Sequence, residues 1–334
     1  AVPAASGPTE AEYLPGDGAP RARLAQVTVE GRGVGHGRGL SQFGAQRRAN
    51  DGQSAADILD FYYPGTSWGS ATGRLRILIS DDSSSDLVVQ ARPGLVLTRD
   101  DRTWKLPHRV RVKRTKQPVR MWRVVPTDGS GGSRVDFRTR SGWHRWKQLT
   151  GEVAVSAGGA PVRLYKPSGS TRYRGELRQV TPPPGSSDGP RDRDTVNVVP
   201  VEAYLRGVVA EEIPAEWQPA AVRAQAVAAR TYAAFERAAA PSGRHYDLCS
   251  TDFCQVYGGV DAEHPASDAA IRDTAKQVLT YDGEPAFTQF SASNGGWTAP
   301  GELPYQQGRE DAFDPRNLWT REVAARDIEA QWPQ

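Results

Sequence analysis

The stretch TVNVVPVEAYLRGVVAEEIP, from Thr195 to Pro214, changes from a strand pattern to a helix pattern at Pro200. Alternating β-branched residues before this proline predict a strand. Pro200 suits the first turn of a helix, and Pro214 predicts that the helix ends just before it. The stretch therefore predicts a strand that leads directly into a helix.

One side of this helix is apolar at a spacing of about 100° per residue, and its members are Tyr204, Leu205, Val208 and Val209. Glu212 falls in the middle of that stripe, whereas Glu211 falls at its edge. A carboxylate on the buried side of a helix, near the C-terminal end, should have a raised pKa. Glu212 is thus predicted to hold a proton near neutral pH. In the alternative, the last turn frays, and Glu212 points to solvent or pairs with Arg206.

More helices are predicted on the C-terminal side of this stretch. Residues from Pro219 to Ala238 are rich in alanine and predict a closely packed helix. A long loop with both cysteines follows, then a helix near Asp268 to Lys276 and a strand pair within residues 277–293. Residues 195–334 are therefore interpreted as one mainly helical domain.

On the N-terminal side, residues 24–70 predict a short strand, a glycine-rich turn and two helices. The helices run from about Ser41 to Ala49 and from about Ser54 to Tyr62, and both serines are candidate N-caps. Residues 1–23 are rich in Pro, Gly and Ala, so they predict a flexible lead.

Between these parts, residues 73–180 contain short alternating segments, such as RLRILIS and RVRVKR, separated by glycine turns. This pattern predicts a β-rich region. Trp and Arg alternate along it as on a nucleic-acid platform, but a solvated antiparallel sheet shows the same alternation. Residues 181–194, TPPPGSSDGPRDRD, predict a surface loop or linker. The chain is thus predicted to have an α+β fold.

Composition and charge limit the class of protein. The chain has 334 residues and a formal charge of +3, a small excess that does not indicate a nucleic-acid partner. No apolar run approaches the length of about 18 residues that a membrane span needs. The chain opens in small and polar residues without an initiator Met, as expected downstream of a removed secretory signal, so we expect export to the cell exterior or wall.

Four segments carry recognisable motifs: GHGRGLSQFGAQRRANDGQSAADILDFYYPGT (35–66), VPVEAYLRGVVAEEIPAEWQPAAVRAQAVAARTYA (199–233), YDLCSTDFCQVYGG (246–259) and FSASNGGWT (290–298). They resemble the SpoIID/LytB family of bacterial cell-wall proteins, with its YLxGVVxxEMP, ALxAQAVAARTYA and GHGxGxSQxGA patterns. Two departures are visible. Ile213 replaces the usual Met, and the GHG element lies near the N-terminus, whereas sporulation members carry it near the C-terminus.

The resemblance implies a peptidoglycan lytic transglycosylase with Glu212 as the catalytic acid, active in sporulation or cell-wall remodelling. Such an enzyme cleaves between N-acetylmuramic acid and N-acetylglucosamine, favours peptide-poor glycan and leaves a 1,6-anhydro ring. We expect its glycan groove between the β-rich region and the helical part. Two alternatives stay open: a non-catalytic wall-binding module that stimulates an amidase, and a muramidase-type hydrolase.

The resemblance and the residue chemistry together point to a set of substrate-binding residues: His36, Ser41, Gln42, Gln225, Arg230, Ser291, Ser293 and Asn294. Arg230 is the candidate for the lactyl carboxylate of muramic acid. Several have structural alternatives, since Ser41 can cap a helix, Arg230 can form a surface ion pair, and Ser291 and Ser293 can be turn residues.

Cys249 and Cys254 are the chain's two cysteines. In an exported protein this pair favours a disulfide. Two alternatives stay open: a zinc site with His245, of the kind thought to occur in some family members, and free thiols. We therefore expect no metal and no other cofactor.

Overall fold

The computed structural model describes residues 26–127, 131–183 and 192–324. The helices are α1 (Gln42–Asn50), α2 (Ala55–Tyr62), α3 (Val201–Arg206), α4 (Val209–Glu212), α5 (Pro219–Ala239) and α6 (Pro265–Asp273), with a 3₁₀ turn at Gly259–Ala262. The lead predicted for residues 1–23, residues 184–191 of the predicted loop and residues 325–334 of the predicted helical domain lie outside the described residues.

The strands in chain order are β1 (Gln26–Arg32), β2 (Leu40–Ser41), β3 (Ser67–Ser70), β4 (Arg74–Leu78), β5 (Leu87–Gln90), β6 (Val96–Arg99), β7 (Arg102–Lys105), β8 (Arg109–Val112), β9 (Thr115–Pro118), β10 (Met121–Pro126), β11 (Gly132–Thr139), β12 (Gly142–Thr150), β13 (Val153–Ser156), β14 (Val162–Lys166), β15 (Gly169–Tyr173), β16 (Glu176–Val180), β17 (Asp194–Pro200), β18 (Leu248–Cys249), β19 (Gln277–Tyr281), β20 (Glu284–Pro285), β21 (Phe290–Ser291), β22 (Trp297–Thr298), β23 (Arg309–Glu310) and β24 (Leu318–Ala324).

Two large sheets, together with the helices, confirm the α+β class. One sheet has the strand order β18-β4-β17-β16-β13-β6-β7, and the other has the order β12-β11-β10-β5-β14-β15. Neighbours are antiparallel in both, except that β18 runs parallel to β4. Alternate side chains of strands such as β4 and β13 are buried in a common apolar core, because successive residues of a strand point to opposite faces.

The first of these sheets joins the β-rich region to the helical part. Strand β17 lies between β16 and β4 and pairs with both. The predicted loop at residues 181–194 therefore connects two adjacent strands of one sheet and does not separate two folded units. Residues 32–317 form one compact unit.

The helices of the GHG element begin where their serines predict. Ser41 Oγ accepts a hydrogen bond from the backbone N–H of Gly44 at 3.0 Å. Ser54 and Asp57 form a reciprocal capping box. The two helices pack against α5, which runs one residue beyond its predicted end and also contacts α6 and β19. Helix α6 starts at Pro265, three residues earlier than predicted.

The helix predicted between Pro200 and Pro214 is broken into α3 and α4. The carbonyl of Gly207 accepts a hydrogen bond from the N–H of Gly258 at 3.0 Å, so it is not used within a continuous helix. A Cβ on Gly207 would lie 2.6 Å from the carbonyl oxygen of Gly259. The helix therefore ends where a later loop approaches too closely for any side chain. The predicted apolar stripe is nevertheless fully buried, at Tyr204, Leu205, Val208 and Val209.

The GHG element is fastened to the segment that follows β20. Strand β2 pairs in parallel with β21, which places Leu40 beside Phe290 and Ser41 beside Ser291. An isolated bridge joins Val34 to Ser293. A segment near the N-terminus is thereby incorporated into the C-terminal half of the fold.

Strands β1 and β24 pair with each other in a two-stranded sheet that belongs to a second compact unit. The indole of Trp319 covers Gly31 so closely that a Cβ at Gly31 would lie 2.4 Å from it. Among the described residues, no helix is both long and apolar enough to cross a membrane.

Candidate active site

A groove of about 290 Å³ contains Glu212. Its other walls are residues 34–36, Tyr232, residues 252–254 with Val256, and residues 289–292. All of these lie outside residues 73–180. The sequence analysis expected the groove to lie between the β-rich region and the helical part, and this expectation is wrong. The GHG element takes that place because β2 pairs with β21 at the groove's edge.

Glu212 is held in the groove by one backbone donor. Its Oε1 accepts a hydrogen bond from the N–H of Val256 at 3.0 Å. Burial raises the pKa of Glu212 to about 7, the Val256 N–H works against this rise, and the negative charges of Glu211 and Asp252 add to it. Glu211 itself is exposed. The carboxyl of Glu212 is thus poised to exist in both protonation states near neutral pH, as its place in the apolar stripe predicts.

The loop that supplies Val256 is fixed on both sides. Gln255 is buried, and its side chain accepts from the hydroxyl of Tyr204 at 3.0 Å and donates to the carbonyl of Ala229 at 3.2 Å. These bonds fasten the loop to α3 and α5. Because Val256 follows directly, the position of its N–H against Glu212 is set by buried hydrogen bonds.

Cys249 and Cys254 are joined by a disulfide that closes the same loop. His245 lies apart, with its Nε2 2.6 Å from Oδ2 of Asp194. Zinc binds free thiolates, so these residues do not fit a zinc site in this state. Among the described residues, no group of three or more His, Cys, Asp or Glu side chains is arranged to hold a metal.

His36 lines the groove together with Glu212, although 176 positions separate them in the sequence. Its Nδ1 accepts a hydrogen bond from the N–H of Arg38 at 3.0 Å. Burial, and then the positive charge of Arg38, lower the pKa of His36, while the Phe290 carbonyl acts in the opposite direction. The ring is therefore neutral near neutral pH, with its proton on Nε2.

Ser291 also lines the groove, as the sequence predicts for a substrate ligand. It is 8% exposed, and its Oγ has no hydrogen-bond partner among the described residues. A Cβ on Gly35 would lie 2.8 Å from Cβ of Ser291, and Gly35 has a φ of +97°. Only glycine allows the turn before His36 to approach Ser291 this closely.

Ser41, Ser293 and Asn294 do not line the groove, because their side chains bond to two buried aspartates. Asp314 accepts hydrogen bonds from the hydroxyls of Ser41 and Ser293. The backbone N–H groups of Gly295 and Gly296 also donate to Asp314, at 2.6 and 3.2 Å. Asp314 thus holds the GHG element and the SASNGG segment together.

Asp311 makes a second set of buried contacts. It accepts from Arg48 at 2.9 Å, from the hydroxyl of Tyr62 at 2.7 Å and from Asn294 at 2.9 Å. Burial first, and then the charge of Asp311, raise the pKa of Tyr62 well above its usual value. Sequence reasoning missed both aspartates. They follow no periodic pattern, and their partners lie far away in the chain.

Arg230 is placed differently from its expected role. It is fully buried, and its guanidinium forms two hydrogen bonds of 2.9 Å with the carboxylate of Glu202. It also donates to the backbone carbonyls of Ile271 and Gln277. With its donors engaged inside the fold, Arg230 cannot reach a lactyl carboxylate in the groove, and we correct that expectation.

The two glutamines of the predicted set are also outside the groove lining. Gln42 is the first residue of α1 and is largely buried. Gln225 is fully buried on α5, and neither polar atom of its side chain has a hydrogen-bond partner among the described residues.

Asp252 and Phe253 are among the groove residues that were not anticipated from the sequence. Asp252 brings a second carboxylate to the groove. Phe253 is 92% exposed, so its ring stands in solvent at the groove. Both lie inside the disulfide loop, whose motif was recognised for its cysteines alone.

Comparison with known proteins finds a match within this chain. Residues 191–281 match the family model SpoIID, described as stage II sporulation protein. This segment of the chain is thus similar to the SpoIID family. The matched residues include Glu212 and the disulfide loop, whereas the GHG element and the SASNGG segment lie outside them.

Curated relatives match over a similar share of this chain. The amidase enhancer of Bacillus subtilis (strain 168) is 32% identical over 133 residues, which is 38% of this chain and 18% of that protein. Stage II sporulation protein D of B. subtilis is 30% identical over 145 residues, covering 37% of this chain and 42% of the relative. The same protein of Bacillus amyloliquefaciens is 30% identical over 150 residues, covering 38% and 44%. The matches thus cover less than half the length of each of these relatives.

Proposed function

We propose that this protein acts in cell-wall processing as an exported peptidoglycan lytic transglycosylase. The observation that carries the proposal is Glu212, a carboxyl with a pKa of about 7 in a groove and within the matched SpoIID residues. A general acid and base works best when its pKa lies near the operating pH. The names of the relatives support the cell-wall role, and the groove chemistry supports the reaction.

One side chain can serve both steps of this reaction. Protonated Glu212 donates its proton to the glycosidic oxygen as the bond from C1 of N-acetylmuramic acid breaks. The resulting carboxylate then takes the proton of the muramoyl C6 hydroxyl, whose oxygen bonds to C1 and closes the 1,6-anhydro ring. The proton count of Glu212 is restored, and no water is consumed. The Val256 N–H keeps the carboxyl in place through both steps.

Other groove residues offer what a sugar needs. The neutral His36 ring brings an N–H to the groove, which it shares with the Phe290 carbonyl, and the hydroxyl of Ser291 lacks a partner among the described residues. The exposed ring of Phe253 can stack on the apolar face of a sugar. We propose these three as glycan-binding residues. The role of Ser41, Ser293 and Asn294 is indirect. Through Asp314 and Asp311 they hold the segments that carry His36 and Ser291 in position.

Asp252 favours one alternative, a hydrolase. Glycosidases that consume water use two carboxylates that flank the bond, about 5 to 9.5 Å apart. Asp252 lines the groove, and its charge raises the pKa of Glu212. The match to an amidase enhancer favours the other alternative, a non-catalytic wall-binding module that stimulates an amidase.

Product analysis on glycan strands stripped of stem peptides distinguishes the three functions. We expect mass spectrometry to find 1,6-anhydro-muramoyl ends with the native protein and with Asp252→Asn, and none with Glu212→Gln. Reducing ends that disappear in Asp252→Asn would indicate the hydrolase. Binding of the strands without any product would indicate the module.

A further inference from the structure

Charge is distributed unevenly along this chain. Residues 73–180 contain 23 Lys and Arg against 9 Asp and Glu, a formal charge of +14. The rest of the chain contains 19 basic against 30 acidic residues, a formal charge of −11. The overall value of +3 therefore conceals a strongly basic β-rich region beside an acidic remainder.

The hairpin of β8 and β9 concentrates exposed cations of this region. Five of its residues are basic and exposed, and none of the five forms an ion pair or a side-chain hydrogen bond with the described residues: Arg109, Arg111, Lys113, Arg114 and Lys116. Val110 and Val112, which alternate with the arginines of β8, pack against the apolar core. The hairpin thus rests on the fold by one face and presents positive charge on the other.

Like charges face each other directly on this hairpin. The register places Arg111 opposite Lys116. Side chains at such positions are about 5 Å apart at Cβ, and like charges there destabilise the pair. With no acidic side chain among the described residues to relieve it, this repulsion would be reduced by an anion bound between the two.

A second group of cations lines a cleft on the strands that precede and follow the hairpin in the chain. It has a volume of about 370 Å³ and is lined by residues of β6, β7, β11 and β12, among them Arg99, Arg102, Trp104 and Lys147. Among the described residues, no acidic side chain belongs to its lining, but Arg99 forms an ion pair of 3.0 Å with Asp100. Lys147 Nζ lies 5.3 Å from the centre of the Trp104 ring. Strand β7 leads into the hairpin, and Trp104 packs against the same core as Val110 and Val112.

We propose that the hairpin cations and this cleft form a binding surface, the basic face, for a phosphodiester-linked polyanion of the cell wall. Arginine is suited to phosphate because its guanidinium presents a planar fork of donors and stays charged. A polymer fits better than a single anion, since the cations extend over two hairpin strands and a cleft. The inference that the polyanion belongs to the cell wall rests on the proposed function. The inference that the basic face binds a polyanion does not.

Binding of polyglycerol phosphate to the Glu212→Gln protein tests this proposal without interference from glycan cleavage. The basic-face variant carries Arg102→Gln, Arg111→Gln, Lys116→Gln and Lys147→Gln. The matched control carries Arg47→Gln and Arg272→Gln, two exposed cations outside residues 73–180. A second variant carries Arg111→Gln and Lys116→Gln alone, so it loses two positive charges, the same number as the control. Affinity is measured by calorimetry at two salt concentrations, and circular dichroism verifies folding.

We expect the variant with four substitutions to bind polyglycerol phosphate about tenfold or more weakly at low salt. Its affinity should also depend less on salt, because fewer counterions are released on binding. The variant with Arg111→Gln and Lys116→Gln alone should lose more affinity than the control. Equal affinities of the variants and the native protein, or no binding at all, would overturn the proposal. Tighter binding of a single-stranded oligonucleotide of equal charge would overturn the wall polymer as the ligand.

Discussion

The groove and the basic face use charged side chains in opposite ways. In the groove region, the carboxyl groups of Glu212, Asp311 and Asp314 are enclosed, and Asp311 and Asp314 have several buried donors each. On the basic face, the hairpin cations stand in solvent without acidic partners among the described residues. Enclosure raises the pKa of Glu212, whereas exposure leaves the charge of a cation available to a ligand. The first arrangement suits chemistry on one bond, and the second suits attachment along a polymer.

This difference predicts that the two regions can be disabled separately. The Glu212→Gln substitution should reduce cleavage of peptide-free glycan by about 10²- to 10⁴-fold, the range contributed by general acid–base catalysis. The amide oxygen can still accept the Val256 N–H, so the fold is retained. Initial rates and polyglycerol phosphate binding are measured on the same preparation.

Glu211→Gln is the matched control, because Glu211 is adjacent and exposed. It should cleave at nearly the native rate. Polymer binding should be the same in both variants. If the Glu212→Gln protein cleaved glycan at the native rate, the groove would not be the site of the chemistry, and the contrast with the basic face would fail.

Enclosure of Glu212 should also be visible as a cost in stability at high pH. The pKa rises from 4.5 to about 7 on folding. The folded state therefore holds the proton more tightly than the unfolded state, so stability is full below about pH 4.5 and declines as the pH rises to 7. The loss at pH 8 is about 3 kcal/mol.

Urea unfolding at pH 8 should accordingly show Glu212→Gln to be more stable than the native protein by that amount, with no difference near pH 4. Glu211→Gln serves again as the control, without the pH-dependent gain. Equal stability of native protein and Glu212→Gln at pH 8 would mean that the carboxylate is well solvated in the groove.

Loss of the disulfide should affect the groove and not the basic face. Replacement of both Cys249 and Cys254 by Ser opens a loop of five sequence positions, which costs about 2 kcal/mol in the chain-entropy model. The loop also carries Asp252 and Phe253, and Val256, whose N–H binds Glu212, follows it by two residues, so cleavage should fall as well. Thermal unfolding and cleavage rates measure the two effects. Native rates in this variant would show that Gln255 alone is enough to hold the loop.

The smallest expected effect concerns the exposed ring at the groove. Phe253→Ala should weaken binding of peptide-free glycan by about 1 kcal/mol, the size of an aromatic stacking contribution. Trp297→Ala is the control, since Trp297 is also exposed but does not line the groove. Titration calorimetry in the Glu212→Gln background compares them. Equal losses in both variants would exclude a specific stacking site.

Local features of the fold could be predicted from the sequence. Ser41 and Ser54 predict where their helices begin. Such a prediction is possible because an N-cap contacts only residues within the first turn of its own helix. The apolar stripe beside Glu212 follows from helical periodicity even though the helix breaks at Gly207. The raised pKa of Glu212 follows from that stripe.

Contacts between distant segments could not be predicted in this way. Arg230 pairs with Glu202 across two helices, and nothing in the local pattern of α5 indicates which residues will enclose it. The break at Gly207 depends on a loop some 50 residues later. The basic face was readable from the sequence, but only when charge is counted by region; the total for the chain conceals it.

The bond between Ser41 and Asp314 spans 273 positions, and it has a consequence for the order of synthesis. A ribosome completes the GHG element early, but the carboxylate that fastens it is added only after nearly the whole described chain has emerged. A nascent polypeptide therefore has no finished groove. The GHG element is thus fastened to the groove only after the segment that carries Asp314 has been synthesised.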